Sequence, residues 1–536
     1  MPDNIQDQLR AFYDRRHPAY NGLVEHWKFL KDTYRGGRDW FNSNVFRYYK
    51  EGDEEFKKRL ERAFRFNHTK EVVELVQKYL FKADISRNES QAPEIVRTFW
   101  KRTTLSGLSI SQMMRMSAAA NSIGGRVAVV VDNNMPATTG VVSRAEARAK
   151  KFRIYAYVVP AEDILDYAWD EDGDGELLWV KLRERVRDDA DPLTSSGDIV
   201  ERQRLWTRKE WILFEDQEVQ ETTVTLGQSQ MKRKIVEVKR GTHGLGFVPV
   251  RFHDHTIGED PYRVPGLIDD IAYLDRAVAN YLSNLDAIIQ DQTFSQLAIP
   301  AQAVQQGDDL YTKILDMGTK RIFVYDAGQG SSAAPHYLSP DPKQAGVILA
   351  VINKIINEIY HTIGLAGERT KEDNAVGIDN SSGVAKAYDF ERVNSLLLAK
   401  AQSCENVENW LVNTVLAWAG EKPVVEDLVT YPTTFDVMRL VDDLVTAEAL
   451  AKIAAPIEVR RQQMRQTIDK LFPQLAIDLR KKLEASIDDW LEGTDVLLQP
   501  PTAFGGQKAA AAPSKQGSVT KNTPTTKAPA SKATAA

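Results

Sequence analysis

The chain has 536 residues, 43% of them hydrophobic and 27% charged, with a formal net charge of −6. Such a length holds roughly two to four domains, and the acidic balance argues against a molecule that binds nucleic acid over a basic surface. The single cysteine, Cys404, excludes an internal disulfide framework and a cysteine-cluster metal site. It sits at helical spacing among Leu396, Leu397, Val407 and Leu411, where it reads as a small core residue.

Met1 to Arg16 is polar and charged, so no signal segment is expected. Asn4 to Leu30 reads as helix. A second helical region runs from Glu54 through Phe81, with Phe64, Val72, Leu75, Val76, Tyr79 and Leu80 as buried positions. A third spans Glu94 to Asn121, and Met113, Met114 and Met116 within it are assigned to the core. Gly124-Gly125 then introduces a β-branched strand, Arg126 to Asp132. Further strand signals follow at Arg153–Pro160, Leu177–Arg185, Arg202–Phe214, Glu221–Leu226, Lys234–Lys239 and Phe247–Phe252. Residues 124–253 therefore read as a mainly antiparallel β domain.

A long helix is expected over 266–293. Leu267, Ile271, Leu274, Val278, Tyr281, Leu285 and Ile288 recur at spacings of 4 and 3, a narrow seam for a helical neighbour. Asp269, Arg276, Ser283 and Gln290, at spacing seven, lie away from that seam and are expected to face water or a polar partner. Residues 294–340 carry short strand signals at Leu297–Ile299, Lys313–Leu315 and Arg321–Tyr325. A second long helix covers 341–365, with apolar residues from Ile348 to Ile363 at helical period and Gly364 as its stop. Residues 366–383 form a polar loop. A third long helix spans Val384 to Ala419, closed by Gly420. Thr430–Phe435 returns to strand, and 437–492 reads as an all-helical module with Pro456 and Pro473 near helix starts. From Leu497 to Ala536 the composition reduces to Ala, Pro, Thr, Ser, Gly and Lys, which cannot bury a core and reads as disordered. No apolar run reaches the roughly 18 residues of a membrane span.

Catalytic signatures are scarce. No GxxxxGK[ST] loop and no HExxH occur, so neither nucleotide hydrolysis of that type nor zinc proteolysis is expected, and no cofactor is implied. His253 and His255 share one face of an extended segment and are read as a surface loop. Asp170, Asp172 and Asp174 start like a calcium loop, but Lys181 stands where the bidentate glutamate belongs, so the stretch reads as a solvated turn. The enzyme alternative is a nuclease using the Asp170–Glu176 carboxylates with magnesium.

The order of several motifs resembles the portal proteins of tailed bacteriophages. Tyr34-Arg35-Gly36 is followed by Asn67, Val72-Val73 and Tyr79-Leu80-Phe81. Pro265 to Ile288 brings a glycine, an acidic pair, a hydrophobic helix and Ser283-Asn284. Ser382-Gly383-Val384-Ala385 opens the third long helix, and Tyr431-Pro432 with Phe435 precedes the C-terminal helices. The resemblance implies an α+β, portal-like fold. Residues 1–265 form a wing, 266–293 and 341–365 stem helices, 294–340 a clip and 366–383 a tunnel loop. Residues 384–436 return to the wing, 437–496 form a crown and 497–536 a disordered tail.

It also implies a non-enzymatic ring, a dodecamer, at the capsid vertex of a virion, assembled in the host cytoplasm. The partners implied are double-stranded DNA in the channel, the terminase large subunit, head-completion and tail adaptor proteins, and the major capsid and scaffold proteins; no membrane is involved. The tunnel loop would touch DNA through Glu368, Arg369, Lys371, Glu372, Asp373, Asn374, Asp379 and Asn380. Asp269, Asp270, Arg276, Ser283, Asp286 and Gln290 would line the channel. Leu267, Ile271, Leu274, Val278 and Leu285 would pack subunits together. Asp269, Asp270, Asp275, Asp286 and Asp291 would repel phosphate, so that DNA slides. Another minor head or scaffold protein is the remaining alternative.

Overall fold

The computed structural model describes residues 2–82, 85–134, 152–170, 172, 175–222, 229–256, 264–293, 296–300, 322–325, 334, 336–338, 342–364, 383–433, 435, 457–471 and 477–488. The fold is α+β. Two compact units divide it, Met1–Asp436 and Val437–Ala536.

The first unit opens with α1 (Pro2–Asp14) and α2 (Tyr20–Arg35), not the single helix expected over 4–30. Pro18 has no amide proton to continue a helix, and the His17 amide instead donates to Leu165 O at 2.9 Å. A short α3 (Arg38–Asn44), not foreseen, follows two glycines. The region expected as one helix from Glu54 is two, α4 (Asp53–Arg62) and α5 (His68–Leu80). Asn67 starts α5 by accepting from the Lys70 amide. Val72, Val76 and Leu80 are buried as expected, whereas Phe64 is exposed. The third region likewise splits into α6 (Glu94–Lys101) and α7 (Ile110–Gly124), the latter opened by a capping box of Ser109 and Gln112. Met113 and Met114 are core residues; Met116 is exposed.

Two antiparallel sheets follow. β2 (Arg126–Asn133) lies between β3 (Ile154–Pro160) and β9 (Val250–Asp254). Val127 to Val131 are all fully buried, which explains a β-branched run without alternation. The second sheet runs β4 (Ile164–Trp169), β5 (Leu177–Arg187), β6 (Ile199–Thr207), β7 (Glu210–Thr222) and β8 (Ser229–Thr242) in sequence order. The stretch expected as one strand, Arg202–Phe214, turns at Arg208-Lys209 into two. β4 carried no clear signal, and Phe247–Phe252 pairs only from Val250 on. Lys181, on β5, is fully buried and donates to Phe12 O at 2.7 Å and to Arg15 O. Its ammonium thus meets carbonyls at the end of α1, where a helix favours a cation. Burial pulls its pKa down to about 8.

Next comes α8 (Ile271–Thr293). A three-stranded sheet follows, in which β10 (Gln296–Pro300) pairs parallel with β11 (Ile322–Tyr325) and antiparallel with β12 (His336–Leu338). The Lys313–Leu315 strand signal lies outside the described residues. α9 (Pro342–Thr362) returns and stops at Gly364, whose φ is 75°. α10 (Gly383–Trp418) ends at Gly420, φ 71°. β13 (Val429–Thr430), shorter than the expected Thr430–Phe435, pairs with β1 (Ser86–Arg87). One core cluster joins α2, α5, α7, β2, α8, α9 and α10 through Leu30, Val76, Met114, Val129, Ile271, Ile359 and Leu397.

In the second unit, α11 (Ile457–Leu471) and α12 (Ile477–Asp488) are described. Pro456 and Pro473, and the tail after Leu497, lie outside the described residues.

Candidate functional site

α8 and α9 form an antiparallel hairpin. The start of α8 (Ile271, with Ile268 just before it) shares a cluster with late α9 (Ile359, Tyr360), and later α8 (Val278, Leu282, Leu285) packs with Ile348 and Ile352. The seam assigned to contacts between subunits is therefore satisfied inside the chain. Ile271, Val278 and Leu285 are buried, while Leu267 and Leu274 pack half-buried against the main core. A 3.5-residue stripe specifies a helical neighbour, and that neighbour is α9.

The polar face of α8 also differs from expectation. Ser283 is buried and accepts from Arg59 Nη1 at 2.8 Å. Arg59, itself 5% exposed at its side chain, also binds both Glu51 oxygens and Phe46 O. Its guanidinium holds the Glu51 carboxyl below its usual range. Arg276 stacks over Phe29, Phe46 and Tyr273. Asn280 donates to Asn44 O and accepts from the Phe46 amide, both at 2.9 Å. The helix thus keys into the α2–α5 layer.

The acidic surface contracts for the same reason. Asp275 is fully buried and accepts from the Thr69 amide and hydroxyl at 3.1 and 2.7 Å, with Arg65 at 3.6 Å. Asp286 pairs with Arg62 at 3.1 Å. Asp269 accepts from the Gly266 amide and lies 3.6 Å from His26. Asp270 is exposed and Gln290 half-buried. The side chain of Asp291 lies outside the described residues, so of the acids expected to repel phosphate only Asp270, just before α8, is fully exposed among the described residues. All eight tunnel-loop residues, Glu368, Arg369, Lys371, Glu372, Asp373, Asn374, Asp379 and Asn380, lie outside the described residues as well.

The root of the hairpin holds a polar network that the sequence did not reveal. Gly125 ends α7 at φ +78°, and a Cβ there would lie 1.8 Å from Val264 O. Only glycine lets the chain leaving β9 pass so close. The His255 amide donates to Gly125 O and the Leu267 amide to Ser122 O. Lys400 of α10 is buried and donates to Asn121 Oδ1 (2.8 Å), Ser122 Oγ (2.9 Å) and Ala118 O (3.3 Å), and its Nζ lies 2.8 Å from His255 Nδ1. Burial without a carboxylate partner lowers its pKa to about 7.

His253 is equally buried, with Ser117 Oγ at 2.7 Å and Cys404 Sγ at 3.6 Å. Burial drops its pKa to about 3 and that of His255 well below the usual value, and lifts the Cys404 thiol to about 12. The two histidines are core residues, not a surface loop. Their alternation on one face was visible in the sequence; their partner Lys400, some 150 residues on, was not. Arg87 clamps Glu408 at 2.5 and 3.1 Å, and the Tyr431 hydroxyl donates to the same carboxylate. These contacts tie α10 to α7, β9 and the β1–β13 pair.

Asp170 pairs with Arg208 at 3.1 Å in the turn between β4 and β5, Asp172 is exposed, and Asp174 lies outside the described residues. Among the described residues, no group of three or more His, Cys, Asp or Glu side chains could hold a metal ion. No helix of the described residues is long and apolar enough to cross a membrane.

No protein-family model matches the chain, and no curated protein matches it. Among solved structures, chains of gene transfer agent particles are similar to this one. The neck of an empty particle, computed with C6 symmetry, aligns at 10% identity and TM-score 0.33 over 83% of this chain and 96% of that chain. The virion of a native particle aligns at 10% identity and TM-score 0.35 over 77% and 92%. The neck of a native particle, computed with C12 symmetry, aligns at 11% identity and TM-score 0.35 over 73% and 86%.

Proposed function

We propose that the chain is a portal-type subunit, which assembles into a ring around a DNA channel at a capsid vertex. The observation that carries this reading is the α8–β10–β11–β12–α9 arrangement: an antiparallel helical hairpin with a small sheet at its tip and an α/β body at its root. The motif order seen in the sequence supports the same reading. The body of α1–α7 with both β sheets would serve as wing, the hairpin as stem, the small sheet as clip, and residues 437–496 as crown.

In this reading the hairpin is a rigid strut. Its apolar seam is internal and its polar flank is pinned by Arg59, Arg62 and Thr69, so load on the clip passes to the body without opening the stem. The loop between α9 and α10 would meet DNA. With Arg369 and Lys371 set among Glu368, Glu372, Asp373 and Asp379, it would touch phosphates without holding them. Energy for packaging would come from a terminase motor docked at the clip, and tail adaptors would take that place later.

Negative-stain imaging of the purified protein tests the reading. Rings with a central hole are the expected result. A protein that stays monomeric at all accessible concentrations, or forms solid particles, overturns it.

A further inference from the structure

We draw no further inference here: the strongest candidate, the polar cavity between α2 and β5 lined by Lys28, Lys31, Arg35, Glu162, Arg183 and Arg185, carries nothing, because Lys31 is paired with Glu162 and both strand arginines with Asp163, and nothing in the structure shows which ligand it would take.

Discussion

Lys400 Nζ and His255 Nδ1 lie 2.8 Å apart in a site where both side chains are buried, and the other groups bonded to Nζ, Ala118 O, Asn121 Oδ1 and Ser122 Oγ, are neutral. A buried cation held by neutral acceptors keeps its solvation by geometry alone. This contact fastens α10 to the place where the chain leaves β9 and enters α8.

The pKa of Lys400 is about 7 in the folded chain, against an ordinary 10.5. Between those values the unfolded chain binds the extra proton, so stability rises with pH over that window. Replacing the group with Lys400→Met removes this slope, which reaches about 1.4 kcal/mol per pH unit at most. Urea unfolding of both proteins between pH 7 and 9.5 reads it. Parallel pH dependences would show that Lys400 does not titrate there.

His253 and His255 act at the acid end. Both are held neutral by burial, His253 down to about 3, while the unfolded chain protonates near 6.5. The unfolded state therefore binds more protons below pH 6.5, and stability is lost as pH falls from there towards 3. His253→Gln is expected to flatten that loss by up to about 1.4 kcal/mol per pH unit, followed by thermal melts from pH 7 to 4.5. An acid response identical to wild type would remove His253 as a source.

Arg59→Met strips partners from Glu51, Ser283 and the Phe46 carbonyl at once. The carboxylate left in a site 14% exposed is the main cost, and a loss of about 3 kcal/mol is expected on chemical denaturation. Glu51→Gln in the same background should recover part of it, because the stranded charge is then gone.

Gly125→Ala meets two obstacles, a φ of +78° and a Cβ placed 1.8 Å from Val264 O. A loss of at least about 2 kcal/mol is expected. Gly37→Ala shares a positive φ but has open space around it, so it should cost less. Equal costs in thermal melts would mean that the Val264 approach contributes nothing.

Val278→Asp separates the internal seam from a subunit contact. Val278 is fully buried against α9, so an aspartate there should destabilise the protomer by about 3 kcal/mol or more. Loss of fold in circular dichroism is the expected readout. A folded protomer that merely fails to assemble would return Val278 to the surface between subunits.

Periodicity was informative wherever one helix face dominates. The 4,3 alternation from Leu267 to Ile288 placed α8, the β-branched run from Val127 to Val131 placed a buried strand, and Gly364 and Gly420 marked two helix ends. The N-terminal half was less legible. Pro18, the 63–67 link and the 102–109 link break helices whose apolar periodicity continues on either side. Both helices of the α8–α9 hairpin were visible from the sequence; their packing on each other and the polar flank were not, because a stripe does not name its neighbour and Ser283 and Asp275 look like solvent-facing residues until Arg59 and Thr69 are brought to them.

The sequence by itself determined the three long helices from α8 on, the buried strand β2, the α+β class, the burial of Cys404 and the low content of catalytic signatures, because these follow from local spacing and residue chemistry. Tertiary structure decided which charges remain in water and which seam is already occupied. Those depend on pairs far apart in the chain, such as Arg59 with Ser283, Thr69 with Asp275 and Lys400 with His255. A helical stripe records only that a face must be covered. Whether the cover comes from α9 of the same chain or from a second copy is settled by packing, and here the α8 stripe is covered from within.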